Sequence, residues 1–302
     1  MINRIKNQIL YFFPEYIKEK INEYDEILSE AQEIRVRVGQ PICIRNYKKE
    51  VFLSRVITSE DILKIIENFS NNSIYSVQNE INAGFLTIKG GHRVGLTGTC
   101  IFENNTVKNI KYISSLNIRV AREIKGCSTN ILKCITSKKE FDNTLILSPP
   151  GCGKTTIVRD MIRQLSNGND YCTPYNIGVA DERSEIAAMY KGVPQNDIGK
   201  RTDVINNCSK YVGMKMLIRS MAPQIIATDE IGGKQDEDAM FEAIYSGVKL
   251  LLTAHGEKIT DIPKNIIDSK VIKNIIVLKK VDKPGEIEKI LNLEEDKYVS
   301  SF

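Results

Sequence analysis

The sequence predicts a two-domain α/β protein: a mixed α/β segment over residues 1–125, then a P-loop domain built on a parallel sheet over 126–302. Three observations carry this. The first third alternates apolar and polar residues between turn glycines. After residue 126, short apolar strands alternate with helices. A Pro/Gly loop ending in Lys-Thr stands between one of those strands and a helix.

The elements follow in order. Residues 34–38 (IRVRV) alternate like a half-buried strand, 39–41 turn, and 42–45 supply a partner strand. Residues 58–69 form a helix, with Thr58 or Ser59 as N-cap, acids in the first turn, and apolar residues at 62, 63, 65, 66 and 69. Residues 84–122 are strand-like, broken by Gly90-Gly91, Gly98 and Asn104-Asn105. The second half reads as strand 144–147, helix 154–165, strand 177–180, helix 209–221, strand 225–228, helix 236–245 and strand 250–253. Such short, continuously apolar strands indicate a parallel sheet covered on both faces. Residues 274–278 and 286–291 close the chain as a hairpin around Lys283-Pro284-Gly285.

Composition narrows the function classes. A chain of 302 residues has room for about two domains with real cores. Its 42 Lys+Arg against 38 Asp+Glu leave +4, too mild a balance to argue for nucleic acid. No apolar run has the length of a membrane helix, and the charged start lacks a cleavage site, so a cytoplasmic protein is expected. Seven cysteines, odd in number and without CxxC, read as reduced thiols. Two histidines exclude a multi-histidine metal site.

The loop Ser148-Pro149-Pro150-Gly151-Cys152-Gly153-Lys154-Thr155-Thr156 fits GxxxxGK[ST] except that Ser148 replaces the first glycine. Gly151 and Gly153 let backbone N–H groups wrap phosphate oxygens, and the helix N-terminus adds partial positive charge. Pro150, Gly151, Cys152, Gly153, Lys154, Thr155 and Thr156 are therefore the expected ATP-binding residues. Lys154 would reach the β- and γ-phosphates, and the Thr155 hydroxyl would ligate Mg2+. The apolar strand 225–228 ends in Asp229 and Glu230; Asp229 is placed to hold Mg2+ and Glu230 to deprotonate the attacking water. Two more strand ends carry polar groups, 181–185 (DERSE) and 253–256 (TAHG). Ligands in open α/β sheets bind at the carboxyl ends of strands. A solvated turn is the alternative for Asp181 and Glu182, and a structural histidine the alternative for His255.

These four segments in this order resemble the secretion ATPase superfamily, the motors of type II and type IV secretion and of pilus retraction. Its P-loop, Asp box, Walker B strand and His box match 148–155, 181–185, 225–230 and 253–256. More closely, the chain is similar to the channel-complex ATPases of endospore formers. The strings that carry this are EIRVRVGQP (33–41), GGHRVGLTG (90–98), ISSLNIRVARE (113–123), DERSEIA (181–187), GVPQNDIGKRTDV (192–204) and GMKMLIRSMAPQIIATDEIG (213–232). Ser148 and the Asp-Glu-Arg-Ser-Glu order of the Asp box depart from the usual pattern, as does the end of the His box. The resemblance implies an N-terminal α/β domain, a RecA-like ATPase domain and a homohexameric ring with ATP at its junctions. Arg93, Arg119 and Arg122 lie in the matching strings as arginines that would complete the site. The implied catalytic set is Lys154, Glu230, Glu182, Arg93, Arg119 and His255. The resemblance also implies a protein of the mother-cell cytoplasm, peripheral to a membrane channel complex of sporulation proteins.

Two other functions fit the same core. One is a RecA-like nucleic-acid motor using Lys191, Lys200, Arg201, Lys210, Lys215 and Arg219, although Tyr211 is the one aromatic residue interleaved for stacking. The other is a structural ring that nucleotide locks without turnover.

Overall fold

The computed structural model describes residues 2–70, 77–136, 139–280, 285–293 and 297–301. The chain divides into two compact units, residues 1–122 with 188–195, and residues 123–187 with 196–302.

The first unit opens with three short helices, α1 (Ile2–Gln8), α2 (Glu15–Asn22) and α3 (Asp25–Ser29). Strands β1 (Glu33–Arg37), β2 (Pro41–Arg45) and β3 (Glu50–Val56) follow, then helices α4 (Ser59–Phe69) and α5 (Gln78–Asn82), then β4 (Phe85–Ile88), β5 (His92–Glu103) and β6 (Thr106–Arg119). The strands make one antiparallel sheet in the order β3-β2-β1-β6-β5-β4. Alternation decides its faces. Ile34, Val36, Val94 and Ile118 are fully buried in a core shared with Ile62 and Ile65 of α4. The intervening Arg35, Arg37, Arg93 and Arg119 stand on the opposite face. A capping box starts α4: the Thr58 hydroxyl accepts from the Asp61 N–H, and the Asp61 carboxylate accepts from the Thr58 N–H. His92 is buried and structural, its Nδ1 accepting from the Ala121 N–H at 3.0 Å and its Nε2 lying 3.1 Å from Gln8 Oε1.

From residue 123 the elements are α6 (Thr129–Ile135), β7 (Thr144–Ser148), α7 (Lys154–Asn167), β8 (Ile177–Asp181), the two-residue strands β9 (Met189–Tyr190) and β10 (Val193–Pro194), β11 (Thr202–Asn206), α8 (Lys210–Met221), β12 (Ile225–Thr228), α9 (Lys234–Tyr245), β13 (Lys249–His255), α10 (Lys264–Asp268), β14 (Asn274–Leu278), β15 (Ile287–Asn292) and β16 (Lys297–Ser301). Eight of these strands form a second sheet, ordered β11-β8-β12-β13-β7-β14-β15-β16. The first six run parallel, and β15 and β16 add antiparallel. Every residue of β7, β8 and β12 is buried, as a sheet covered on both faces requires. Leu145, Leu147, Ile226, Leu250 and Leu252 pack with Leu217 of α8 and Met240 of α9 on one face. Helix α7 packs against β7 and β11. Gly178 admits α8 closely, since a Cβ there would stand 3.2 Å from Leu217 Cδ1.

The closing pair β14–β15 is antiparallel as the sequence predicts; Lys283 and Pro284 of its turn lie outside the described residues. The hairpin β9–β10, although it falls between two strands of the second sheet, belongs to the first unit, where the Gln195 Oε1 accepts from the Gly90 N–H at 2.8 Å. Among the described residues no helix is long and apolar enough to cross a membrane.

Candidate nucleotide site

Strand β7 delivers the chain into the loop and α7 receives it. The turn needs two left-handed residues, and glycine supplies both: Gly151 at φ 79° and Gly153, the N-cap of α7, at φ 86°. Ser148 is not one of the left-handed residues, which is why a side chain is tolerated where the motif usually has glycine. Its hydroxyl donates to the Pro149 carbonyl at 2.8 Å and is fully buried. Pro150 and Gly151 are exposed, Cys152 is buried with its thiol towards the Pro150 carbonyl, and Thr156 is half-buried. A Cβ built at Gly151 would meet nothing within 4 Å, so the mouth of the loop is open.

Strand β12 lies two strands from β7, with β13 between them, and the three strand ends converge. The Thr155 hydroxyl donates to Asp229 Oδ2 at 3.2 Å. Lys154, only 6% exposed, places Nζ 3.4 Å from Glu230 Oε1. His255 Nε2 lies 2.8 Å from the same oxygen, and Arg183 reaches the other at 3.9 Å. Burial works against ionisation of Glu230, but the Lys154 charge and then His255 outweigh it and hold the carboxyl below the usual glutamate range.

The turn after β8 is built by Asp181. Its carboxylate accepts from the N–H groups of Glu185 (2.8 Å), Ile186 (3.2 Å) and Ala187 (2.8 Å). Burial nevertheless pushes the Asp181 carboxyl up, against those three bonds. Arg159, one turn beyond Thr155 on α7, braces the same turn by donating to the Glu185 and Ile186 carbonyls, both at 2.7 Å. Glu182 pairs with Lys210 at 2.8 Å. Asp181, Glu182, Arg183, Glu185, Lys210, Asp229 and Glu230 line a cleft of about 20 Å³, room for about one water.

Behind the loop, Asp160 of α7 fastens the segment that leads in from the first unit's end. It is 3% exposed and accepts from the Gly126 N–H (2.9 Å), the Ser128 N–H and hydroxyl (both 2.8 Å), Gln164 (2.9 Å) and Arg163 (2.6 Å).

Lys154, Thr155, Glu182, Asp229, Glu230 and His255 thus gather within the second unit. Arg93 and Arg119 belong to the first unit. They face each other in register on β5 and β6, with the Arg93 guanidinium 3.8 Å from the centre of the Phe85 ring and Arg119 exposed. Arg122 donates to the Glu30 and Ala31 carbonyls at 2.5 and 3.2 Å and so ties down the end of α3. Sequence reasoning gives no site role to Arg159, Arg183 or Lys210. The signal for Arg159 is its place four residues after Thr155; Lys210 is grouped instead with a basic stretch.

The donor set fits a nucleotide with magnesium. Among the described residues no cluster of three or more His, Cys, Asp or Glu could hold a metal by itself. One carboxylate and one hydroxyl facing an open phosphate loop suit Mg2+, which keeps waters and shares phosphate oxygens.

The family model for sporulation stage III, protein AA, matches residues 3–297. Stage III sporulation protein AA of Bacillus subtilis (strain 168) is 38% identical over 290 residues, 94% of this chain and 94% of that protein. Two solved structures share the fold: the ATPase DotB of Legionella pneumophila (TM-score 0.59, 14% identity, 94% of this chain and 82% of that one) and the pilus retraction motor PilT with bound ADP (TM-score 0.58, 17% identity, 87% and 76%).

Proposed function

The chain belongs to the sporulation stage III, protein AA family, and from that premise we propose that it is a Mg2+-dependent ATPase, working as a ring, that energises a membrane channel complex of sporulation proteins. The observation that carries the reading is the convergence of the phosphate loop with the end of β12: Thr155 on Asp229 at 3.2 Å and Lys154 on Glu230 at 3.4 Å. Likeness of fold to DotB and PilT supports a motor.

The chemistry follows from the contacts. Lys154 rests on Glu230, and the γ-phosphate of ATP would take over that ammonium. Glu230, still beside His255 and Arg183, would then orient a water in the adjoining cleft and accept its proton as the water attacks phosphorus. Thr155 and Asp229 would hold magnesium, which neutralises charge on the β- and γ-phosphate oxygens. Glu182, held by Lys210, is the next carboxylate in the cleft. In the ring, Arg93 and Arg119 would serve a neighbouring subunit's ATP, where a guanidinium is worth about 10³–10⁵ in rate.

A nucleic-acid motor is the weaker reading because cations of the basic stretch are committed elsewhere: Lys210 pairs with Glu182, Lys215 pairs with Glu242 at 3.0 Å, and Arg201 donates to the Ser166 carbonyl. ATP turnover over a protein concentration series, with mass photometry on the same samples, tests the proposal. Specific activity should rise as rings assemble, and Lys154→Ala should abolish turnover and weaken ATP binding without unfolding the chain. Turnover that survives Lys154→Ala removes the loop from the chemistry. ATP binding with assembly but zero turnover identifies a nucleotide-locked ring.

A further inference from the structure

We propose that Thr253, on β13, is the positioning residue that sets both carboxylates of the candidate site at once; the inference rests on the ATPase reading above. Thr253 is fully buried. Its hydroxyl donates to Asp229 Oδ1 at 2.6 Å and accepts from the Glu230 N–H at 2.7 Å. Its carbonyl accepts from the Ile231 N–H at 2.8 Å. One residue therefore binds three successive residues beyond β12.

The consequence for Asp229 is orientation. With Oδ1 committed to Thr253, Oδ2 is the oxygen that faces Thr155. A carboxylate so fixed presents one defined oxygen to a cation, and outer partners of this kind hold metal ligands in place. The consequence for Glu230 is conformational. Its φ is 49°, a left-handed value that a side-chain-bearing residue keeps only where its surroundings impose it. The Thr253 hydroxyl and carbonyl, on the N–H groups of Glu230 and Ile231, supply that constraint. The left-handed turn sends the Glu230 carboxylate back to Lys154 and His255. Position 253 also has the right address: β13 lies between β12 and β7, and Thr253 stands in register with Ile146. A single hydroxyl thus couples the magnesium-side carboxylate to the water-side carboxylate. Its own proton is spoken for by Asp229, so it acts through its neighbours.

The test is a three-member series on the full chain: Thr253→Val, which keeps the shape and removes the hydroxyl; Thr253→Ser, which keeps the hydroxyl; and wild type. Readouts are kcat and KM for ATP, the Mg2+ concentration for half-maximal turnover, binding of a fluorescent ATP analogue with and without Mg2+, and the unfolding temperature. Loss of an outer partner typically costs about 10- to 100-fold in metal affinity or activity. Thr253→Val should lose kcat by such a factor and need several-fold more Mg2+, with metal-free nucleotide binding unchanged, and Thr253→Ser should stay within about threefold of wild type. Wild-type kcat and Mg2+ dependence in Thr253→Val would overturn the inference and leave the ATPase reading standing. Equal losses in Val and Ser variants, tracking a fall in unfolding temperature, would also overturn it, as packing alone. A wild type with neither turnover nor Mg2+-dependent binding defeats the ATPase reading itself and takes this inference with it.

Discussion

Replacing Asp160 by asparagine tests how the chain is fastened behind the phosphate loop. The native carboxylate collects bonds from Gly126, Ser128, Gln164 and Arg163. Burial opposes its charge, yet those donors pull its pKa from an ordinary 3.8 to about 2. A depressed folded-state pKa means stability that is fully present above 3.8 and lost as pH falls through about 2. About two pKa units at 1.36 kcal/mol each give a contribution on the order of 2 kcal/mol at neutral pH, about half of it gone by pH 3. The asparagine amide cannot recover this, because its NH2 group would face donors and leave one buried N–H unpaired, a cost of about 1–3 kcal/mol. Urea unfolding followed by circular dichroism, which needs no tryptophan, should show Asp160→Asn about 2–3 kcal/mol less stable at pH 7. The gap should narrow steadily below pH 4. Equal midpoints at pH 7 would refute the reasoning, and so would a gap that stays at full size at pH 2.5.

Two further predictions concern the site. Glu230→Gln should retain ATP binding and lose turnover, since the amide keeps the shape but neither the charge nor the base; nucleotide binding alongside phosphate release checks it, and wild-type hydrolysis would move the base to Glu182 or Glu185. Arg119→Ala should cut turnover while leaving nucleotide affinity largely intact, and mixing it with Lys154→Ala subunits should restore part of the activity, because one interface of a mixed ring can hold both intact halves. Co-assembled mixtures that gain nothing would place the arginine's action in cis or nowhere in the reaction.

Much of the second sheet is legible in the sequence because its strands are buried on both faces and so read as continuous apolar runs: 144–147, 177–180 and 225–228 each form a strand. Helix 58–69 announces itself through Thr58 and Asp61. The N-terminal helices are not legible, since α1–α3 are short, weakly capped and stabilised by packing of Ile5, Ile17 and Leu28 into the first core. Strand β3 escapes a sequence reading for a similar reason: Leu53 is its one buried residue, leaving little contrast between its faces. Site residues in recognisable loops can be named in advance. The contacts of Arg159 and Lys210 and the two hydrogen bonds of the Thr253 hydroxyl depend on distances between elements that no spacing along the chain encodes.

The hairpin at 188–195 bears on the order in which the protein can be completed during synthesis. The chain passes between its two units at 122/123, 187/188 and 195/196. The first unit therefore stays unfinished until β7, α7 and β8 of the second have already been made, and its last eight residues arrive attached to the Asp181 turn. A vectorial scheme, one unit completed and then the next, leaves these eight residues out of the first unit. Cutting the gene after residue 125 would leave a C-terminal piece that carries β9 and β10 without the Gly90 N–H that Gln195 accepts from. A fragment meant to represent the whole first unit has to bring residues 188–195 with it.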